Sequence, residues 1–234
     1  NVGAFTVADT VEPMVEYADK LQKYLVNHTR LGIPALIHCE ASAGAQFTEA
    51  DVFPSAIAQA STFDTEVVGE MTDIIRKQMY YVGFRQALSP VVDITRDPRW
   101  GRITETYGED AALTSAMASA FVKGIQGDEL KEGVLATAKH FAGHGITEGG
   151  LNMGRNIVSE RDMREIHCKP FQCAITEAGL KSVMNSYCSV NGEPVVGSKK
   201  MLTDILRGEM GFQGFVVSDY LSLDRLVDPF AVAE

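Results

Sequence analysis

The chain has 234 residues, of which 45% are hydrophobic and 22% are charged, so it is long enough for one globular domain with a sizeable core. Its 31 acidic residues outnumber its 21 Lys and Arg residues, and the formal net charge is −10. This balance argues against a nucleic-acid partner or an anionic membrane surface, because phosphate groups require clustered basic side chains, and it suits a neutral or weakly polar partner.

Short apolar runs alternate with longer amphipathic stretches along the whole chain. The apolar runs predict strands at residues 1–7, 35–38, 86–93, 134–141, 181–187 and 215–218. Apolar residues at helical spacing predict helices at residues 10–27, 54–81, 111–125, 159–179 and 198–210. Within the fourth helix we expect Ser159 to cap the start, Pro170 to introduce a kink and Gly179 to mark the end.

This alternation predicts the fold class. Strands separated by helices indicate parallel βαβ units, in either an open doubly wound sheet or a (β/α)8 barrel. Polar residues at nearly every strand end favour the barrel, since ligands bind at that edge of the strands. The pattern supports at most seven strands, so we expect an α/β fold of the TIM-like barrel type, truncated at both ends and lacking about one βα unit.

Two loops have an unusual composition. Residues 96–102 are rich in Arg and contain Trp100, the only tryptophan, so we expect more than a simple connection there. Residues 145–154 are rich in Gly but lack the spacing of a phosphate-binding loop. We therefore expect this second loop to form a flexible wall of the pocket, and we expect no nucleotide or other cofactor.

The cysteines and histidines limit the kinds of site that the chain can carry. Cys39, Cys168, Cys173 and Cys188 show no Cys-x-x-Cys spacing, so we expect free buried thiols. Free thiols favour a reducing, cytoplasmic location, and a secreted or periplasmic one stays open. The histidines form no His-Glu-x-x-His pattern, so we expect no metal site. No apolar run approaches the ~20 residues of a membrane-spanning helix.

Charged and aromatic side chains follow the predicted strands, where a barrel has its mouth. The candidate mouth residues are Glu40, Arg102, Lys139, His140, Met184, Tyr187, Asp219 and Tyr220. Such a set suits a neutral polyhydroxy ligand, because charged groups hydrogen-bond hydroxyls and aromatic rings cover the apolar face of a sugar. Asp219 ends a strand that we expect to be buried on both faces. It has a simpler alternative role as the N-cap of a following helix, just as Met184 and Trp100 can be core residues.

Four segments make the chain recognisable. They are SPVVDITRDPRWGRITETYGED at residues 89–110, KHFAGHG at 139–145, SVMNSY at 182–187 and GFVVSDY at 214–220. Together and in this order they resemble glycoside hydrolase family 3, and in particular its β-glucosidase and β-xylosidase branch. The resemblance extends from about Gly32 to Tyr220. It implies that residues 1–234 are part of the N-terminal TIM-like barrel domain of a family 3 enzyme.

The resemblance also implies roles for the mouth residues. Asp219 matches the catalytic nucleophile of a retaining exo-acting β-glycosidase, which forms a covalent glycosyl-enzyme intermediate. The terminal sugar would be held by Glu40, Arg102, Lys139 and His140. Met184 and Tyr187 match residues near the nucleophile, and Tyr220 replaces a Trp that many members have after it. We expect the positive charges and the Tyr187 hydroxyl to favour the ionised form of Asp219.

The second carboxyl group of the mechanism is missing from these matches. In most two-domain members the acid/base Glu comes from a second α/β domain, which we expect to lie outside this chain; a homo-oligomer stays open. Residues 145–152 contain no Asp-Ser-His, which disfavours the β-N-acetylglucosaminidase branch. We therefore expect hydrolysis of terminal β-D-glucosyl or, second, xylosyl residues. The alternative is a carbohydrate-binding barrel without turnover.

Overall fold

The computed structural model describes residues 2–3 and 10–233. Residue 1 and residues 4–7 of the first predicted strand lie outside the described residues. The strands are β1 Val2–Gly3, β2 Ile37–Cys39, β3 Gln86–Ala87, β4 Leu135–Phe141, β5 Arg155–Asn156, β6 Ser182–Asn185, β7 Ser189–Val190, β8 Glu193–Pro194 and β9 Phe215–Val217. The α-helices are α1 Val11–His28, α2 Ala56–Ala60, α3 Thr65–Tyr81, α4 Ala111–Gln126, α5 Glu160–Asp162 and α6 Lys169–Ala178.

Tighter and wider helical turns complete the secondary structure. Two segments are π-helical, Met163–His167 and Lys200–Glu209. The 3₁₀ turns are Ile103–Glu105, Leu130–Glu132, His144–Ile146, Glu148–Gly150, Val195–Gly197 and Asp224–Leu226.

Six strands form one parallel sheet in the order β1-β2-β3-β4-β6-β9. Neighbouring strands follow each other along the chain with helical segments between them, which confirms the predicted α/β barrel architecture. The strands β5, β7 and β8 form a separate small sheet. Because the main strands are parallel, their carboxyl ends meet at one edge of the sheet, where Glu40 and Asp219 follow their strands and Lys139 lies near the end of β4, before Phe141.

The predicted helix at residues 54–81 is wrong as a single element. It divides into α2 and α3, because Phe63 has a left-handed backbone with φ of 55° and Asp64 then starts a new helix. The Asp64 carboxylate accepts hydrogen bonds from the amides of Glu66 and Val67 at 3.0 and 3.1 Å, which is the geometry of an N-cap.

The two ends predicted for the helix at residues 159–179 are confirmed, and the segment between them consists of α5, a π-helical segment and α6. The Ser159 hydroxyl oxygen accepts the Asp162 amide at 3.0 Å and caps the start. The segment changes from π-helical turns to α6 at Cys168, and Pro170 lies in the first turn of α6, where its missing N–H has no cost. Gly179 ends the helix in the left-handed conformation, with φ of 64°.

Two predicted strands differ from the observed ones. The run 86–93 pairs as a regular strand only at β3, although Val91 still bridges Lys139 and the Val92 amide donates to the Lys139 carbonyl at 2.7 Å. The strand β9 is not buried on both faces: Phe215 is 37% exposed. The reason is its position, since β9 is an end strand in the order of the described sheet.

Buried apolar side chains hold the central helices together. The helix α4 packs against α3 and α6, with Met117, Phe121 and Ile125 fully buried. The four cysteines are buried, as predicted, and their thiols are free.

Within the described residues, every helix is too short or too polar to span a bilayer, and the same residues hold no cluster of three or more His, Cys, Asp and Glu side chains placed to bind a metal ion.

Candidate active site

Asp219 is a buried carboxylate two residues after β9. It is 6% exposed, and its Oδ1 accepts the backbone amide of Tyr220 at 2.8 Å. The next residues form turns and not an α-helix, so Asp219 is not the N-cap that the simpler alternative required. Its Oδ2 has no hydrogen-bond partner among the described residues. A buried carboxylate oxygen without a donor is costly, which makes this atom a candidate for chemistry.

His140 lies next to this oxygen at the end of β4. Its Nε2 is 3.7 Å from Asp219 Oδ2, which is longer than a hydrogen bond. On the other side of the ring, Nδ1 is 2.8 Å from Asp93 Oδ2, and the His140 backbone amide donates to the same oxygen at 3.1 Å. Asp93 thus holds the imidazole on one side, and the ring faces Asp219 on the other. Burial, with the charges of Arg102 and Lys139 and the nearby His144, lowers the pKa of His140 well below its ordinary value, so the ring is neutral.

The rings of His144 and Trp100 pack in sequence next to the His140 ring. The His144 ring lies 4.6 Å from the His140 ring, and Trp100 meets His144 edge to face at 5.4 Å. His144 Nε2 is 2.9 Å from Asn152 Oδ1, which ties the ring to the loop 145–154. Trp100 therefore packs in the core, as its simpler alternative predicted, while connecting its own loop to the site.

The loop 145–154 closely approaches residues 96–102 at one point, and its flexibility stays a prediction. A side chain at Gly150 would approach the Arg99 and Trp100 backbone to 2.8 Å. Only glycine allows this approach, so Gly150 is the residue that lets the two loops come into contact.

Lys139 and Glu40 form an ion pair across two strand ends. The Lys139 ammonium is 2.6 Å from Glu40 Oε1, and Lys139 is only 3% exposed. Glu40 is partly exposed, so the pair leaves carboxylate oxygen available to a ligand. The structure thus brings together the second-strand acid and the Lys of the KHFAGHG segment, as the sequence predicted.

Arg102 is held by a residue that the sequence did not single out. Its Nε and Nη2 each donate to a Glu105 carboxylate oxygen at 2.8 Å, which is a bidentate ion pair. A cavity of about 850 Å³ is lined by Glu40, Arg102 and Glu105 together with the small residues of the loop after β2. Asp219 does not line this cavity, which therefore outlines the outer wall of the site and not the reacting centre.

The remaining predicted residues surround Asp219. The Tyr187 hydroxyl donates to the Tyr220 carbonyl at 2.7 Å and also interacts with the Asp219 carboxylate. Tyr220 is 44% exposed, and its hydroxyl is 3.0 Å from His38 Nε2 on β2, so the ring is fixed at the rim. Met184 is buried on β6, where it pairs in register with Val217 of β9.

The electrostatics of Asp219 differ in part from the expectation. Burial raises the pKa of this carboxyl above its usual value, and it outweighs the opposing effects of the Tyr187 hydroxyl, the Tyr220 amide, Lys139 and Arg102. The positive charges and the tyrosine do favour the ionised form, as expected. They limit the rise and do not reverse it.

Two acids of the site were missed by sequence reasoning. Asp93 ends the predicted strand 86–93 just as Glu40 follows its strand, so the same strand-end rule could have found it. Glu105 follows Arg102 at the i+3 spacing that brings side chains together on a helical turn. Neither residue had a signal of its own in the composition of its segment.

The fold and the site together define a class of protein. A parallel α/β barrel holds a buried carboxylate among Lys, Arg, His and Tyr side chains at the carboxyl ends of its strands, and this is the arrangement of a barrel enzyme or binding protein for polyhydroxy ligands. The family model described as glycosyl hydrolase family 3 N terminal domain matches residues 1–234. The chain therefore belongs to glycoside hydrolase family 3, as the four segments predicted.

Curated relatives and solved structures are similar over most of this chain. A β-xylosidase of Formosa agariphila is 39% identical, covering 88% of this chain and 30% of the relative. A probable β-glucosidase C of Aspergillus flavus is 36% identical, covering 88% and 35%. The structure of a β-glucosidase from Erythrobacter marinus matches with a TM-score of 0.96 at 33% identity, covering 100% of this chain and 31% of that one.

A structure with a bound sugar is also similar. It is a mutant β-glucosidase from Listeria innocua in complex with laminaribiose, with a TM-score of 0.84 and 33% identity over 94% of this chain and 30% of that chain. In each comparison this chain spans about a third of the length of the protein that it matches.

Proposed function

We propose that this chain forms the barrel of an exo-acting retaining β-glycosidase, with Asp219 as the nucleophile. The observation that carries the proposal is the Asp219 Oδ2 atom, which is buried without a partner beside His140. A strand-end carboxylate with one unused oxygen, surrounded by groups that bind hydroxyls, suits attack on an anomeric carbon.

In the first step Asp219 Oδ2 attacks the anomeric carbon of the terminal sugar. The bond to the leaving oxygen breaks, that oxygen takes a proton from the acid/base residue, and a glycosyl ester remains on Asp219. In the second step the acid/base residue takes a proton from water, whose oxygen attacks the same carbon and releases Asp219. The charges of Lys139 and Arg102 oppose the effect of burial and help to keep the nucleophile ionised.

The charged residues of the rim hold the sugar. The pair of Lys139 and Glu40 offers both a donor and acceptors, which matches the alternating needs of vicinal hydroxyls. Arg102 is preoriented by Glu105, so it contributes N–H donors without much loss of side-chain freedom. The ring of Tyr220 is fixed at the rim by His38 and can cover an apolar face of the sugar.

The acid/base residue is proposed to come from a second domain. Among the acids described at the pocket, Glu40 and Glu105 are each engaged with a cation. Burial raises the pKa of Glu105, but the hydrogen bonds and charge of Arg102 outweigh it and lower the pKa, so Glu105 is a poor proton donor. Relatives about three times longer than this chain support the proposal that another domain supplies a Glu.

We propose terminal β-D-glucosyl residues as the substrate, with β-D-xylosyl residues second. Both choices rest on the similar proteins, which include β-glucosidases and a β-xylosidase. A carbohydrate-binding barrel without turnover is the outcome to be tested against this proposal.

The stereochemistry of hydrolysis tests the proposed function. The natural full-length protein that contains this chain is incubated with p-nitrophenyl β-glucoside and β-xyloside, and the first-formed sugar anomer is observed by NMR. We expect the β-anomer to form first, and the reaction to be lost in the Asp219→Asn variant. Formation of the α-anomer, or sugar binding by calorimetry without turnover, would contradict the proposal.

A further inference from the structure

The steps above give no role to Asp93, which lies behind His140. Asp93 is fully buried at the end of the predicted strand 86–93. Its Oδ2 contacts His140 twice, through the ring Nδ1 at 2.8 Å and through the backbone amide at 3.1 Å. Its Oδ1 has no hydrogen-bond partner among the described residues.

Stability alone does not account for such a carboxylate. A buried carboxyl group with one oxygen unsatisfied costs free energy, and burial raises the pKa of Asp93 to about 7 despite the opposing charge of Arg102 and the His140 amide. Both of the hydrogen bonds that it makes go to one residue, His140. Its direct contacts with the site are therefore made through His140.

When Asp93 is ionised, the geometry determines which ring nitrogen carries the proton. The His140 backbone N–H can only donate, so Asp93 Oδ2 is an acceptor at this point. When Asp93 is ionised, Nδ1 must donate to it as well, and a neutral imidazole then has a bare Nε2. That Nε2 faces Asp219 Oδ2 at 3.7 Å, so two acceptors lie side by side without a proton between them.

We propose that Asp93 is a positioning residue that holds His140 as its Nδ1–H tautomer, so that Nε2 accepts a hydrogen bond from a sugar hydroxyl beside Asp219. One hydroxyl proton next to the paired acceptors Nε2 and Oδ2 relieves their repulsion, which favours the orientation that brings the sugar against Asp219. The mechanistic part of this inference rests on the proposed function, whereas the tautomer does not.

Other groups face the Asp93 and His140 pair and set the conditions of the test. They are Arg102, Glu105, Lys139, His144, Cys188 and Asp219. Burial raises the pKa of Asp93 to about 7 and outweighs the opposing charges of Arg102 and Lys139, so the carboxyl is ionised mainly above this pH and the tautomer is best measured at about pH 8.5.

The experiment is ¹⁵N NMR of the histidine rings in the natural full-length protein labelled at histidine, with His140 assigned from a His140→Gln variant. At about pH 8.5 we expect a protonated Nδ1 and a bare Nε2 for His140 in the unchanged protein. Asp93→Ala removes the acceptor, so the ring should shift towards Nε2–H. Asp93→Asn keeps an oxygen at the same place and should restore Nδ1–H in part.

Activity gives a second readout with a matched control. We expect kcat/KM to fall on the order of 10- to 100-fold in Asp93→Ala, the range known for partners that orient metal-ligating histidines, and to recover partly in Asp93→Asn. Thr114→Val is the control, because it removes another buried unpartnered oxygen, on α4 and outside the site. Its histidine spectrum and kcat/KM should match those of the unchanged protein.

The outcomes separate this inference from the proposed function. An Nε2–H tautomer of His140 in the unchanged protein at about pH 8.5 overturns the inference even if no Asp93 variant folds. Unchanged kcat/KM in a folded Asp93→Ala variant overturns its mechanistic part. A correct tautomer in a protein that does not hydrolyse β-glycosides would instead refute the proposed function and leave the positioning of His140 intact.

Discussion

Burial and positive charge act on Asp219 in opposite directions. Burial favours the protonated carboxyl, while Lys139, Arg102 and the Tyr187 hydroxyl favour the ionised form, and the net effect is a raised pKa. A nucleophile benefits from this balance, because a partly desolvated carboxylate is more reactive as long as enough of it remains ionised.

A substitution at Asp219 should separate activity from stability. We expect Asp219→Asn to lower kcat by at least about 1,000-fold, since the attacking oxygen is lost. The folded protein should be no less stable at neutral pH. With a raised pKa the folded state holds its proton more tightly than the unfolded chain, so ionisation costs stability as pH rises, and Asn removes that cost. Initial rates and thermal unfolding measure the two effects, and activity within about tenfold would contradict the assignment.

Lys139 should matter more than any exposed lysine. Lys139→Ala removes a buried cation that contacts Glu40 and lies near Asp219, so kcat/KM should fall about 10- to 100-fold or more. Lys131→Ala is the matched control, because Lys131 pairs with Glu129 at 3.0 Å but is 73% exposed. Equal effects of the two substitutions on kcat/KM would argue against a role for Lys139 at the sugar.

At the scale of elements, the sequence predicted those helices that have periodic apolar residues and clear capping residues. The helices α3, α4 and α6 carry apolar residues at helical spacing, and Ser159 and Gly179 mark ends that the structure confirms. The turn at Phe63 broke the predicted helix 54–81, because a left-handed phenylalanine has no signal in the sequence. The strands β5, β7 and β8 are two residues long, too short for any periodic pattern.

One π-helical segment contains a histidine that should link stability to pH. His167 is buried in Met163–His167, and burial together with the charge of Arg96 lowers its pKa to about 4. Between about pH 4 and 6.5 the unfolded chain therefore binds a proton that the folded protein does not, so stability is lost as pH falls through this window. Each such group contributes at most about 1.4 kcal/mol per pH unit.

His167→Gln removes this titration. We expect the free energy of unfolding, measured by urea denaturation between about pH 4 and 6.5, to depend less steeply on pH than in the unchanged protein. His28→Gln, at the exposed end of α1, serves as the control. An unchanged slope in His167→Gln would show that the buried ring does not resist protonation.

At the scale of the whole molecule, the site is assembled from strand ends that are far apart in the chain. The Glu40–Lys139 pair joins the end of β2 to β4, and the Asp93–His140 pair joins the segment after β3 to β4. The approach of Asp219 to His140 joins the end of β9 to β4. The parallel sheet makes these meetings predictable in outline, since strand ends converge at one edge. Which ends touch depends on register and side-chain rotamers, so the contacts of Asp93 and Glu105 needed the structure.

The most direct test of Asp219 as the nucleophile is covalent trapping. The natural full-length protein is treated with a 2-deoxy-2-fluoro-β-glucoside carrying a good leaving group, which slows hydrolysis of the glycosyl ester so that it accumulates. Mass spectrometry of the digested protein should find one fluorosugar on the peptide that contains Asp219, and none in Asp219→Asn. A label on another carboxylate, or saturating binding of the reagent without any label, would contradict the assignment of Asp219 as the nucleophile.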